Sequence, residues 1–129
     1  MVDGHCYYLE IVGMTYEEAQ ANCASKFLNS GKLFEPLSLQ VNGLVWEEFY
    51  DTIDSNPRGG PWIGVTDHGG GYGAGWFKYA SSGSEVSFTI PWLNPGSGST
   101  FSPECIILWT EGKWDPTYCT NYQKSICEQ

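Results

Sequence analysis

The chain has 129 residues, a formal net charge of −9 and five cysteines. This length suffices for one domain with a real core, so we assign residues 1–129 to a single domain. The acidic balance excludes nucleic acid as a partner, because phosphates need a basic face, and it disfavours anionic membranes. No apolar run approaches the ~20 residues that span a bilayer, so we expect no membrane-spanning helix.

The cysteines indicate an oxidising compartment outside the cytoplasm, and we expect a secreted protein. The first residues, Met1 to His5, do not have the pattern of a signal peptide, so we expect a form from which the leader is absent. Four cysteines, Cys23, Cys105, Cys119 and Cys127, allow three connectivities, and their spacing does not choose among them.

The first half of the chain predicts one strand and two helices. Residues 6–12 are rich in Tyr, Ile and Val and predict a strand. Thr15 and Glu18 form a capping box that starts a helix predicted to reach Leu28. A second helix is predicted from Leu39 to Ile53, with its apolar side formed by Leu44, Val45, Phe49 and Ile53.

The second half predicts short strands and one long loop. The strands are expected at residues 62–65, 76–79, 87–89, 106–109 and 125–128. A segment of Pro, Gly and Ser separates Thr89 from Cys105, and a loop of that length is normally functional or disordered. Two helices flanking small antiparallel sheets, with a long irregular loop, define an α+β fold class.

Several motifs in this order resemble those of a C-type lectin-like domain, and the resemblance runs from Cys6 to Glu128. They are Tyr16-x-x-Ala19 entering Cys23, Trp62-Ile63-Gly64, Trp92 before the long-loop prolines, and Cys105 and Cys119 around Lys113-Trp114. The resemblance implies the C-type lectin-like fold and the disulfides Cys23–Cys127 and Cys105–Cys119. The first of these would join the first helix to the last strand and bring the termini together.

Cys6 is left without a partner by this pairing. It looks like the second cysteine of an N-terminal hairpin found in longer members of the family. Three interpretations stay open: a partner outside this chain, a disulfide that links two chains into a homodimer, or a free thiol.

Sugar-binding members of the family hold a calcium ion in the long loop, and the resemblance implies where its ligands would lie here. The Trp-Asn-Asp motif of the family reads Trp114-Asp115-Pro116, and Pro116 offers no side-chain oxygen. The surviving candidates are Asn94, Glu104 and Asp115, about half of a set of six to eight oxygens. We therefore expect calcium-bridged sugar binding to be absent, with a rearranged calcium site as the alternative.

The histidines, His5 and His68, are expected to be solvent-exposed loop residues. The alternative is a metal site, such as zinc, because Asp67 and His68 are adjacent and both residue types bind zinc. Such a site would draw on Asp67, His68, Glu104 and Asp115, within one chain or as a metal bridge between two.

No motif for nucleophilic or acid–base catalysis is present, so we expect a binding module and not an enzyme. The first hypothesis is a secreted lectin of innate immunity that binds carbohydrate or microbial surface glycans through Trp92, Asn94, Glu104 and Asp115. Trp92 would either stack on a ligand or pack within the loop. The second hypothesis is a calcium-independent protein-interaction module, which could be a metal-bridged or disulfide-linked dimer in innate defence or matrix assembly.

Overall fold

The computed structural model describes residues 4–54, 59–67, 77–94 and 105–129. Their helices and strands, in chain order, are β1 (Tyr7–Met14), α1 (Tyr16–Ala24), α2 (Lys26–Asn29), β2 (Lys32–Leu33), α3 (Leu39–Asp54), β3 (Trp62–Thr66), β4 (Lys78–Tyr79), β5 (Cys105–Leu108), a 3₁₀ turn (Thr110–Gly112), β6 (Trp114–Thr117) and β7 (Gln123–Glu128). The α+β class is confirmed, and none of the helices in these ranges is long and apolar enough to cross a membrane.

The first helix begins as predicted and ends earlier. The Thr15 hydroxyl accepts from the Glu18 amide at 3.3 Å, and the Glu18 carboxylate accepts from the Thr15 amide at 3.0 Å, so the capping box is confirmed. The prediction of one helix to Leu28 is wrong, since α1 ends at Ala24. Phe27 and Leu28 have φ values of 52° and 59°, so the chain makes a left-handed turn that reverses it toward β2.

The second predicted helix is confirmed as α3, which lies over one face of the sheet. Val45 and Ile53 are buried, and Phe49 packs against the same core cluster. Leu44 was expected on this apolar side but is exposed. Leu44 follows Gly43 and precedes Val45, so a helix of 3.6 residues per turn points it away from Val45 by about 100°.

The strands form a mixed sheet in the order β1-β7-β3-β5-β6, while β2 also pairs with β7 and β4 with β3. The pairings between these strands are antiparallel except the contact of Trp62 in β3 with Ser125 in β7. The strand predicted at residues 87–89 is wrong: in that stretch the backbone makes no ladder, although Phe88 still packs against the core. A run of apolar residues at alternate positions can thus be a packed extended segment instead of a sheet strand.

Both predicted disulfides are confirmed. Cys23 bonds to Cys127 and Cys105 to Cys119, and each pair has its Cα atoms 5.2 Å apart. Cys6 has no disulfide partner in the described part of the chain. The Gln129 amide donates to the Cys6 carbonyl at 3.1 Å, so the two ends of the described chain meet as predicted.

Two buried carboxylates lie where β2 meets β7. Glu128 accepts from the Glu35 amide at 2.8 Å, and Glu35 accepts from the amide and hydroxyl of Ser81, each at 2.7 Å. The Lys32 ammonium lies 3.0 Å from Glu35 and 4.0 Å from Glu128, so one cation serves two carboxylates. Burial raises the pKa of the Glu128 carboxyl, although the Glu35 amide and the Lys32 charge act in the opposite direction.

We predict that Glu128→Gln flattens the pH dependence of stability. Because the native pKa of Glu128 lies above its unfolded value of about 4.5, the native state holds the extra proton and its stabilisation is lost as pH rises through the native pKa. The free energy of unfolding of the variant, minus that of wild type, should therefore be larger at pH 7 than at pH 4. The measurement is urea unfolding at both pH values, with the exposed Glu47→Gln as a matched control. A constant difference between variant and wild type would contradict the prediction.

Candidate functional site

The start of the long loop is fixed to β6 by main-chain hydrogen bonds. The Trp114 amide donates to the Pro91 carbonyl, and the Leu93 amide donates to the Trp114 carbonyl, both at 2.8 Å. The contact forms a parallel bridge between Trp92 and Trp114. This pairing brings the segment that ends at Asn94 alongside the strand that carries Asp115.

Trp114 is the fully buried residue on which this arrangement depends. Its indole Nε1 donates to the Asn42 Oδ1 of α3 at 2.8 Å, and the Asn42 Nδ2 donates to the Gly112 carbonyl at 2.8 Å. One buried amide therefore joins α3, the 3₁₀ turn and β6. The sequence interpretation missed Asn42, although its position three residues before Val45 puts it on the core-facing stripe of α3, where a polar residue needs an explanation.

Trp92 is half-buried and packs within the protein. Its ring meets the ring of Phe77 at a centroid distance of 5.1 Å and an interplanar angle of 67°, an edge-to-face contact. Phe88 meets Trp114 in the same way at 5.7 Å. Of the two interpretations of Trp92, packing at the base of the loop is the one that these contacts favour.

Asp115 is half-buried in β6, opposite Ile107 of β5. Since side chains alternate along a strand, Asp115 points to the face of the sheet opposite to that of Trp114. Burial raises the pKa of its carboxyl above the ordinary value. Asn94, by contrast, is exposed. The rim beside β6 thus carries one exposed carboxamide and one carboxylate that holds its proton more firmly than usual.

The candidate metal ligands are not brought together in the described residues. Asp67 is buried and follows Thr66, the last residue of β3, which pairs with Cys105 of β5. Asp115 pairs with Ile107, two residues after Cys105 in β5. The register puts about 10 Å between them along the strands. His68 and Glu104 lie outside the described residues.

The donors that the structure describes fall short of what calcium needs. Within residues 4–54, 59–67, 77–94 and 105–129, no three His, Cys, Asp or Glu side chains form a metal-binding group. Asn94 and Asp115 supply two side-chain donors, and Pro116 supplies none, while calcium takes about six to eight oxygens. These two donors alone are too few to hold calcium, Glu104 lies outside the described residues, and the described residues give zinc no support.

Comparison with known proteins identifies the class. A family model described as the lectin C-type domain matches residues 12–129. The chain therefore belongs to the C-type lectin domain family, as its motifs predicted. Domains of this family are in general recognition modules and not enzymes.

Its relatives in sequence are longer proteins. The chain is 25% identical to hepatic lectin of Gallus gallus over 127 residues, which is 98% of this chain and 56% of that protein. It is 25% identical to asialoglycoprotein receptor 2 of Mus musculus, again over 98% of this chain and 39% of the relative. The chain thus spans about half, or less, of the length of these relatives.

Solved structures give the same fold. The mouse scavenger receptor C-type lectin carbohydrate-recognition domain superposes with a TM-score of 0.80 at 23% identity, over 100% of this chain and 91% of that one. A calcium-independent type II antifreeze protein superposes with a TM-score of 0.74 at 24% identity, over 100% and 88%. The fold is therefore shared with proteins of more than one kind.

We predict that Asn42→Ala lowers the free energy of unfolding by about 2–4 kcal/mol. The change leaves the Trp114 indole N–H and the Gly112 carbonyl without their buried partner, and each orphaned group costs about 1–3 kcal/mol. Urea unfolding measures the loss. Asn121→Ala, which removes an exposed carboxamide, is the control. A loss below about 0.5 kcal/mol, the range of ordinary surface substitutions, would contradict the role given to Asn42.

Proposed function

We propose that this domain recognises carbohydrate through the rim formed by Asn94 and Asp115, with Trp92 holding the rim in place, and that calcium is not required. The observation that carries the proposal is the main-chain pairing of Pro91 and Leu93 with Trp114. These two main-chain hydrogen bonds hold the start of the long loop beside β6. Membership of the lectin C-type domain family supports sugar as the class of ligand.

The side chains on this rim suit hydroxyl groups. A carboxamide such as Asn94 both donates and accepts hydrogen bonds, and a carboxylate such as Asp115 accepts them. Hydrogen bonds to a charged group contribute about 1.5–3 kcal/mol, so a few of them account for the weak affinity of a single sugar unit. The half-buried ring of Trp92 gives these groups a rigid support and is not itself the stacking platform.

Independence from calcium is supported by the sequence of the motif and by precedent for the fold. Pro116 supplies no side-chain oxygen where the family motif Trp-Asn-Asp has an aspartate. A calcium-independent type II antifreeze protein has the same fold, so the fold itself does not demand the ion. The side chains at positions 94 and 115 would then contact sugar hydroxyls directly.

We further propose that the domain acts outside the cytoplasm, on glycans of microbial or cell surfaces. Its two disulfides are of the kind that persist in an oxidising compartment. The relatives include asialoglycoprotein receptor 2 and C-type mannose receptor 2, whose names place them among receptors. Secretion and a role in innate defence belong to the same proposal.

A second candidate function is binding of a protein. It is favoured by Ile11 and Val12, which are 66% and 58% exposed in the irregular part of β1 where its register with β7 shifts. An exposed edge of a sheet offers unpaired backbone groups to another chain, and these two side chains would add apolar contact there. A disulfide-linked homodimer through Cys6, which is only partly buried, would be one form of this function.

We predict that glycan binding survives a chelator and that Asp115→Ala weakens it by about ten- to a hundredfold. Losing a hydrogen bond to a charged acceptor costs about 1.5–3 kcal/mol, and 1.4 kcal/mol is one factor of ten. A glycan array, run in calcium and in chelator, measures both effects. The matched control is Glu111→Ala, which removes an exposed carboxylate on the neighbouring turn.

Each outcome of this assay separates the alternatives. Binding that the chelator abolishes would show that a metal site exists and would overturn calcium independence. Equal losses in Asp115→Ala and Glu111→Ala would mean that general charge matters and that the rim does not. No signal in either condition would move the function to the protein-binding surface at Ile11 and Val12.

A further inference from the structure

A groove of about 620 Å³ lies between the first turn of α1 and the loop that joins β6 to β7. Its volume is within the range of about 300–1,000 Å³ that ligand pockets occupy. None of Trp92, Asn94 and Asp115 lines it. The described residues that line it are Thr15, Tyr16, Glu17, Gln20, Cys105, Cys119 and Thr120.

The walls of the groove are held together by covalent and hydrogen bonds. The Cys105–Cys119 disulfide joins the loop to β5, and the Tyr16 amide donates to the Cys119 carbonyl at 2.9 Å. Within the loop, the Asn121 amide donates to the Tyr118 carbonyl at 3.0 Å. The groove is therefore preorganised, so a ligand would not need to order the loop on binding.

The lining of the groove has the chemistry of hydroxyl recognition. Thr15 and Thr120 offer hydroxyls, Gln20 offers a carboxamide, and Glu17 supplies a carboxylate as the only formal charge among the described lining residues. No cation lines the described part of the groove to balance an anionic ligand. A neutral ligand rich in hydroxyl groups fits this set better than a phosphate, a sulfate or an acidic sugar.

Two tyrosines on the loop that carries Cys119 and Thr120 add exposed aromatic surface to it. Tyr118 and Tyr122 are 60% and 63% exposed. Tyr122 lies against β1, because a Cβ atom placed on Gly13 would come within 3.7 Å of the Tyr122 Cβ. Exposed aromatic rings next to convergent polar groups are the combination that a sugar ring needs, since it has one apolar face and a polar edge.

We propose that this groove, with Tyr118 and Tyr122 beside it, is a second binding site and that its ligand is a neutral oligosaccharide. The site goes beyond the rim at Asn94 and Asp115 and does not rest on it. Thr117 pairs with Cys105 and Asp115 with Ile107, so the groove lies about 7 Å further along β6 than Asp115. One site can therefore fail while the other binds.

The test is a titration of the whole chain, followed by the backbone amide signals in nuclear magnetic resonance spectra. The probes are an N-acetylglucosamine hexasaccharide and a mannose pentasaccharide, each added in chelator. We expect at least one probe to shift the amides of residues 15–20 and 118–122. Tyr122→Ala and Gln20→Ala should each weaken that binding at least fivefold, while Asp115→Ala should leave those shifts unchanged.

A second test variant and one control variant keep the result specific to the groove. Gln20 is an exposed helical position where alanine is the best helix former, so Gln20→Ala keeps the fold even if Tyr122→Ala does not. Tyr50→Ala removes another exposed tyrosine, from α3, and should have no effect. The proposal is overturned if neither probe shifts these amides, if Gln20→Ala binds as wild type, or if only Asp115→Ala abolishes the shifts.

Discussion

The disulfide between Cys23 and Cys127 is the constraint on which the rest of the fold depends. It joins α1 to β7, and β7 is the strand that pairs with β1, β2 and β3. The disulfide joins residues 104 positions apart. In the chain-entropy model such a crosslink lowers the entropy of the unfolded chain and so raises its free energy by about 4.7 kcal/mol at 25 °C. That gain is comparable with the whole stability of a small domain, so the crosslink offsets much of the entropy cost of ordering the short strands and their connections.

The two proposed binding surfaces lie near two separate clusters of the core. α3 and Trp114 lie on one side of the sheet with the larger core cluster, while α1 and both cystines lie with the smaller cluster on the other. The rim at Asn94 and Asp115 depends on the first cluster through Asn42. The groove at Thr15 and Thr120 depends on the second through the Cys105–Cys119 disulfide. The two surfaces thus differ in the contacts that hold them, although the Asp115 side chain lies on the same face of the β5–β6 ladder as Cys105.

Local signals in the sequence predicted the elements that depend on local physics. The capping box at Thr15 and Glu18 and the periodic face of α3 were of this kind, and the disulfides followed from the family resemblance. Long-range polar contacts could not be predicted, because nothing near Asn42 or Glu128 indicates which distant group each one meets. The turn at Phe27 and Leu28 was missed for a related reason: both residues favour a right-handed helix, and tertiary closure toward β2 overrides that preference.

Of the candidate site residues, Asn94 and Asp115 lie on adjoining segments and Asp67 lies elsewhere, while the binding role of all three stays a prediction. The motif Trp114-Asp115-Pro116 shows how the contacts of the scaffold and the proposed contacts of the ligand are divided within one strand. Its tryptophan packs in the core, where the Asn42 contact and the Pro91 pairing hold it, and in our proposal Asp115 contacts the ligand. Substitution at position 116 removes a ligand oxygen and leaves the tryptophan contacts untouched. Because the scaffold contacts and the proposed ligand contacts use different residues of one strand, the fold does not depend on a side-chain oxygen at position 116, and recognition by direct hydrogen bonds is the chemistry that we propose for Asp115.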